Sequence, residues 1–314
     1  MSNPLLEIQN LSVRRGDLQV LEDLSFTVNE GEIFGLLGPN GSGKSTTFSI
    51  IAGLLHPQKG SLLFRGQEIE GGAKRLLSEV GVVFQNPSLD PNLSARENLD
   101  MTATLYRIPR KERTQRIDDL LRLADLIDRA DERVATYSGG MKRRLELARS
   151  LMHNPKILIM DEPTTGLDEV AFQRTWKRLK ELQAQKGLSI LLSTHRPEEA
   201  AFCDRIGFIL GGQLITCDTP NALQSQVSGD QINIQCTHPQ SVVDRLQEKL
   251  SLKATVVDNQ VHLRCEDDQH GHTLIPKIME IMQPGEVQAI QMSRPHLGDV
   301  FLHLTGELLS EENS

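Results

Sequence analysis

The chain has 314 residues, 38% hydrophobic and 24% charged, with no long polar tract, which is enough apolar material for a core in each of about two domains and excludes intrinsic disorder as a description of the whole. Its 42 acidic residues outweigh 34 basic ones for a formal charge of -8, a poor basis for holding a phosphate backbone, so no nucleic-acid partner is expected. The start MSNPLLEIQN lacks the basic and apolar regions of a secretory signal, and no stretch approaches the roughly 18 apolar residues of a spanning helix. Cys203, Cys217, Cys236 and Cys265 form no CxxC pair, so a soluble cytoplasmic protein with free thiols is expected.

In chain order, LLEIQNLSVRR and VLEDLSFTV alternate apolar with polar residues and predict antiparallel strands with one covered face. From Glu32 the pattern changes to short apolar runs, EIFGLLG, VGVVFQ, KILIMDE, LSILLST and RIGFIL, as expected of strands buried on both faces of a parallel sheet. Phe48, Ile51, Ala52 and Leu55 recur at helical spacing and predict one helix packed on that sheet. Residues 86–152 carry helical periodicity, with Ile117, Leu120, Ala124 and Ile127 on one face, and predict an inserted helical lobe. After Pro220 the order becomes strand QINIQC, helix SVVDRLQEKL, strand KATVV, a turn at Asp258-Asn259, strand QVHLRC, helix HTLIPKIMEIM and strand EVQAIQM. A last helix near DVFLHLTGELL and a frayed tail SEENS follow. The predicted fold class is α/β: a mixed, largely parallel sheet with an antiparallel β opening over residues 1–220, then a small α+β ferredoxin-like domain over 221–314.

Two strings carry chemistry. Gly38-Pro39-Asn40-Gly41-Ser42-Gly43-Lys44-Ser45 fits G-x-x-x-x-G-K-[ST] between a strand and a helix that continues through Thr46. Small residues let backbone N–H groups turn inward around phosphate oxygens, Lys44 neutralises β/γ charge, and Ser45 is placed to ligate magnesium. By average residue usage such a string arises by chance on the order of once in a hundred chains of this size. The second string, ILIMDE, is an apolar strand ending in Asp161 and Glu162. Asp161 can hold magnesium, while Glu162, facing the other way, can orient or deprotonate the attacking water. Alone, that string reads more readily as a buried strand before a polar turn, and the phosphate loop in the same chain reverses that preference.

With these in place, Ser138-Gly139-Gly140-Met141-Lys142 resembles the signature of the ABC transporter ATPases. Asp161-Glu162-Pro163-Thr164-Thr165-Gly166-Leu167-Asp168 resembles that family's Walker B and D-loop, Ser193-Thr194-His195 its histidine switch, and Phe84-Gln85-Asn86-Pro87 its Q-loop. The likeness spans roughly Leu6 to Pro220. It implies a P-loop NTPase cassette that binds ATP and Mg²⁺, with Gln85 at the magnesium or water, His195 at the γ-phosphate and Asp168 at the nucleotide. It also implies a homodimer or paired cassette in which Ser138, Gly139 and Gly140 of one copy close on the ATP of the other. Separate transmembrane permease subunits complete the implied assembly, which places the chain peripherally on the cytoplasmic face of the inner membrane.

Some positions depart from the family pattern. Where an aromatic usually stacks on adenine the chain offers Arg15, whose guanidinium plane can stack on a base or stay solvated. Tyr137 replaces a leucine before the signature and Met141 a glutamine within it, leaving the serine and glycine donors intact. The basic run Arg107, Arg110, Lys111, Arg113 and Arg116 reads as a solvated helix face, with docking at lipid headgroups or a membrane subunit as the lesser reading. His262, His270 and His272 lack ligand spacing, and Trp176 reads as packing. The stretch from YSGGMKRR to GLD and the ending RPHLGDVFLHLTG look most like ATPase subunits of bacterial drug, antibiotic and polysaccharide exporters. An importer ATPase with a regulatory terminal domain is the rival within the family, and a soluble non-transport ABC ATPase the rival outside transport. A ribosome-acting ATPase normally carries two cassettes. A chromosome ATPase needs hundreds of heptad residues where about ninety lie here. A non-catalytic cassette would be expected to lack Lys44 or Glu162.

Overall fold

The computed structural model describes residues 4–69, 76, 78–85, 88–226, 231–257, 260–265, 271–283, 285–293, 296–306 and 309. Asn86, Pro87, the turn at Asp258-Asn259, His270 and the tail from residue 310 lie outside them. The chain divides into two compact units, Met1–Thr219 with Leu309–Ser314, and Pro220–Leu308. Among the described residues no helix is long and apolar enough to cross a membrane, and Cys203, Cys217, Cys236 and Cys265 are not joined in disulfides.

In the first unit β1 (Pro4–Arg15) and β2 (Leu18–Asn29) pair antiparallel. Their register shifts between Ile8 and Leu11, where Asn10 sits at φ 50, so two apolar residues three apart both reach the core. β3 (Ile33–Leu37) leads through the phosphate loop into helix Lys44–Ile51, and β4 (Lys59–Phe64) and β5 (Gln67–Glu68) complete a four-stranded sheet in the order β2-β1-β4-β5. Phe48, Ile51 and Ala52 are buried as their spacing predicted, but the helix stops before Gly53 at φ 71, so Leu55 packs from the following turn rather than from the helix.

The second sheet holds β6 (Val80–Val83), β7 (Ile157–Asp161), β8 (Ser189–Thr194), β9 (Arg205–Leu210) and β10 (Gln213–Asp218) around β3, in the order β10-β9-β3-β8-β7-β6. All pairings are parallel except β10 with β9. Every residue of β3, β7 and β8 is buried, which is why these strands are continuous apolar runs rather than alternating ones. Parallel register aligns their carboxyl ends, with Leu37 beside Thr194 and Asp161 beside Ser193. The loops after three strands therefore converge on one sheet edge, where open α/β sheets bind ligands.

Helices Ala95–Leu105, Arg110–Leu123 and Gly139–Ser150 lie between β6 and β7. The first begins with a full capping box, Glu97 N–H donating to Ser94 Oγ at 3.2 Å and Ser94 N–H to the Glu97 carboxylate at 2.7 Å. Ile117, Leu120 and Ala124 are buried on one face, whereas Ile127 falls past the helix, in a short 3-10 turn reached through Asp125 at φ 55. Helix Glu169–Lys186 follows β7 and carries the buried Trp176, stacked on Phe202 with ring centroids 5.0 Å apart; the short helix Pro197–Ala200 follows β8.

In the second unit β11 (Gln231–Cys236), β12 (Ala254–Val257), β13 (Gln260–Arg264) and β14 (Val287–Ser293) form an antiparallel sheet in the order β12-β13-β11-β14. Helices Pro239–Leu250 and Gly271–Ile281 contribute Val242, Leu246 and Ile278 to a core with Ile232, Ile234 and Val261. Helices Pro220–Gln226 and Leu297–Thr305 pack on each other through buried Leu223, Val300 and Phe301.

One close approach anchors the phosphate loop to the first sheet. Gly212, at φ 81 in the β9–β10 turn, donates its N–H to Ser42 O at 3.0 Å and accepts from Glu22 N at 3.1 Å, and a Cβ there would lie 2.4 Å from Val20 O. Gly212→Ala adds left-handed strain to a backbone collision and is expected to cost about 2–5 kcal/mol. Denaturant unfolding measures this, and an unchanged midpoint would deny the close approach.

Candidate active site

The phosphate loop is built around a buried cation. Lys44 is 5% exposed, and its Nζ donates to the carbonyls of Gly38 at 2.7 Å and Pro39 at 2.9 Å, curling the loop around the ammonium. Burial pulls the Lys44 pKa below its ordinary value, while the nearby Glu162 and Asp161 carboxylates pull it back up. Gly43 occupies the N-cap at φ 105, where a Cβ would lie 2.5 Å from Leu21, so only glycine fits. With no capping side chain and no acidic residue in its first turn, the helix presents its first N–H groups and positive end to the loop. Ser42 Oγ is buried without a partner among the described residues, while Asn40, Gly41 and Ser45 are exposed and Thr46 is buried in the helix. A buried ammonium, an uncapped helix start and an orphaned hydroxyl together fit a polyanion such as a nucleotide triphosphate.

Facing the loop, Asp161 and Glu162 diverge. The Asp161 carboxylate accepts a hydrogen bond from the Ser193 hydroxyl, and Ser193 Oγ also accepts from Glu162 N at 3.0 Å. Glu162 has φ 46, a left-handed conformation that costs roughly 1–3 kcal/mol and turns its side chain out of the strand direction. Its carboxylate is then held from three segments: Gln85 Nε2 at 3.1 Å, His195 Nδ1 at 3.1 Å and Thr165 Oγ1 at 3.2 Å. An ionised carboxylate only accepts, so this contact assigns the Nδ1 proton. A neutral His195 in this pose offers only a lone pair at Nε2. Donation to a phosphate therefore requires the doubly protonated ring or a turn of the ring away from Glu162. Ser45, Asp161 and the Gln85 amide supply only oxygen donors for a metal, a set suited to Mg²⁺ rather than to a softer ion.

Other expected site residues are placed differently. Ser138 and Gly139 are exposed at the start of helix Gly139–Ser150, where Ser138 Oγ accepts from Met141 N at 3.3 Å. A Cβ on Gly139 would meet nothing within 4 Å, so its own chain does not demand a glycine there, while Gly140 faces Ala171. Asp168 caps helix Glu169–Lys186 through Ala171 N at 2.8 Å, and Arg15 is exposed at the end of β1 with no partner among the described residues. Within one chain the structure brings together Lys44, Gln85, Asp161, Glu162 and His195.

Sequence reasoning passed over Arg143. It is half-buried in the signature helix, and its guanidinium donates to Phe84 O, Pro163 O, Asp161 O and Glu162 O at 2.5, 2.9, 3.2 and 3.2 Å. It also pairs at 3.3 Å with Glu146, which is 1% exposed and accepts from Ser88 N at 2.9 Å. One guanidinium thus fastens the residues flanking Gln85 and Glu162 to the signature helix. Glu199 was missed too: it is 1% exposed, accepts from Thr164 Oγ1 at 2.9 Å, and burial pushes its pKa up. Arg143→Ala strands four carbonyls and leaves the buried Glu146 with only Ser88 N and the more distant Arg149, 3.9 Å away, and is expected to lower stability by about 3–5 kcal/mol. Arg143→Lys, which keeps charge without the fork, should recover only part of it. Chemical denaturation of both variants checks this, and an Arg143→Ala protein as stable as the parent would contradict it.

The comparisons with known proteins accord with this geometry. A family model described as ABC transporter matches residues 21–165. The chain is 38% identical over 314 residues to a Nod factor export ATP-binding protein I of Burkholderia orbicola (strain AU 1054), covering 99% of this chain and 100% of that one. It is 34% identical to the uncharacterized ABC transporter ATP-binding protein YhcH of Bacillus subtilis (strain 168), covering 98% of each. Among solved structures, cbiO1 from Clostridium perfringens, part of the ABC transporter complex cbiONQ, superposes with a TM-score of 0.67 at 27% identity over 79% of this chain and 96% of that one. The dimeric cassette MJ0796 bound to ADP and Pi does so at 0.62 and 29% identity over 68% and 98%. The chain belongs to the ABC transporter ATP-binding family and is a nucleotide-binding ATPase subunit of a transporter.

Proposed function

We propose that this subunit hydrolyses MgATP at Lys44, Asp161 and Glu162, works as a head-to-tail pair, and drives export through separate membrane-spanning permeases at the cytoplasmic face of the membrane. The observation that carries the catalytic assignment is the Glu162 carboxylate, held by Gln85, His195 and Thr165 beside a buried lysine. Three donors from three segments fix a base where an attacking water would stand, so its reach does not depend on side-chain freedom.

In this reading the loop amides of 38–46 and the Lys44 ammonium bind the triphosphate, and Ser45, Asp161 and Gln85 hold Mg²⁺. The bound metal neutralises charge on the β- and γ-phosphates. Glu162 orients the attacking water and accepts its proton, and His195 keeps that carboxylate aligned. Ser138 and Gly139, exposed at the helix start, and the half-buried Gly140 supply the second half of the site to another copy, with Asp168 at the junction. Arg15 offers its guanidinium plane to adenine.

Export as the direction is supported by the full-length likeness to export ATP-binding proteins. The second unit's β-α-β-β-α-β order and its strand order β12-β13-β11-β14 support a ferredoxin-like accessory domain. The described residues provide no membrane-crossing helix, which supports separate permeases.

Two substitutions separate the roles. Lys44→Ala is expected to abolish ATP binding in a nucleotide-fluorescence titration. Glu162→Gln should keep binding but slow phosphate release roughly 10²- to 10⁴-fold. A Glu162→Gln protein that hydrolyses ATP at the parent rate would overturn the base assignment.

A further inference from the structure

Behind the signature helix lies a cavity of about 220 Å³ that the nucleotide does not enter in the proposed mechanism. Its apolar walls come from Leu123, Leu147, Met160 and Leu167, on the helical lobe, the signature helix, β7 and the turn before Asp168. Its volume is below the roughly 300–1,000 Å³ of sites for drug-sized ligands, so it suits a short apolar body.

The charge around it is one-sided. Five cations and two anions contribute to the lining. Arg143 is spent on carbonyls and Glu146, and Arg178 pairs with Glu181 at 2.9 Å and lies 4.0 Å from Asp125. That uses both acids. Arg144 donates Nε to Ala124 O at 2.8 Å, and no acidic partner is present for it, for Arg174 or for Lys177 among the described residues; the last two are exposed. Three uncompensated cations beside an apolar hollow, on a chain of formal charge -8, are complementary to a molecule with an anionic head and an apolar tail.

We propose that this cavity binds a small amphiphilic carboxylate, its tail between Leu123, Leu147, Met160 and Leu167 and its head on Arg144, Arg174 and Lys177, and that occupancy slows ATP turnover. The coupling follows from shared walls. Gly140 at the signature tip and Arg143, which holds the backbone beside Gln85 and Glu162, both line the cavity. A bound tail props the signature helix and helix Glu169–Lys186 at their present spacing, opposing movement of the signature toward a second copy. The slowing rests on the nucleotide-site reading; binding does not.

The test uses the full chain and three eight-carbon probes below their micellar range: octanoate, octanol and octylamine. Calorimetry without nucleotide is expected to show saturable octanoate binding, weaker octanol binding and none by octylamine. Arg174→Glu/Lys177→Glu, on an exposed helix face, should weaken octanoate about tenfold or more while leaving octanol binding, thermal midpoint and unliganded ATPase activity unchanged. Thr175→Leu, which narrows the cavity, should weaken octanoate and octanol alike. Saturating octanoate should lower ATP turnover of the parent about twofold or more and spare the charge-reversed variant. No saturable octanoate binding, equal affinity in the charge-reversed variant, or octylamine binding as tightly would overturn the site. Binding without any change in turnover, in a protein that does hydrolyse ATP, would overturn the regulatory role while leaving the nucleotide site intact.

Discussion

A lysine ammonium held inside the protein by two carbonyl oxygens is the constraint on which the rest of the site depends. Among the described residues Lys44 has no carboxylate within hydrogen-bonding distance, only Gly38 O and Pro39 O, and its desolvation is offset in part, through space, by Glu162 and Asp161. Such an arrangement favours a polyanion in the loop, because phosphate oxygens supply the charge that the buried cation lacks. Keeping it requires the carboxylates to stand at a fixed distance. The strand ends do this: β3, β8 and β7 are buried along their whole length and in parallel register, so the loop, Ser193 and Asp161 are set by the sheet rather than by mobile connections.

The same logic extends outward. Glu162 leaves the strand in a left-handed conformation, and its direction is maintained by Gln85, Thr165 and His195. Arg143 then binds the carbonyls on both sides of that group to the signature helix, so the base and the Gln85 segment share one structural partner. A displacement of the signature helix is therefore transmitted to the residues that hold Glu162. In the proposed pair, this is the physical link between closure on a second copy and the readiness of the base.

Much of this was legible in the sequence because the signals are local. Buried parallel strands announce themselves as unbroken apolar runs, and a glycine-rich loop ending in Lys-Ser between strand and helix has few uses other than phosphate binding. What escaped was set by tertiary contacts. Arg143 is one of two adjacent arginines in an amphipathic helix, and nothing in the string distinguishes the one that serves four carbonyls from Arg144, which caps Ala124. Glu199 belongs to none of the motifs in the string, yet is buried against Thr164. The helix ends near Ala52 and Leu123 failed for a related reason: left-handed residues at Gly53 and Asp125 stop the helix while the apolar spacing runs on, leaving Leu55 and Ile127 to pack from turns.

In the proposed pair, ATP is gripped by Lys44 of one copy and Ser138 of another. Sedimentation of Glu162→Gln protein, with and without a second substitution at Ser138→Arg, tests this most directly. A dimer is expected with ATP, a monomer with ADP, and a monomer with either nucleotide once Ser138→Arg is added, although nucleotide still binds. Self-association that ignores nucleotide, or an ATP-bound dimer that survives Ser138→Arg, would contradict it.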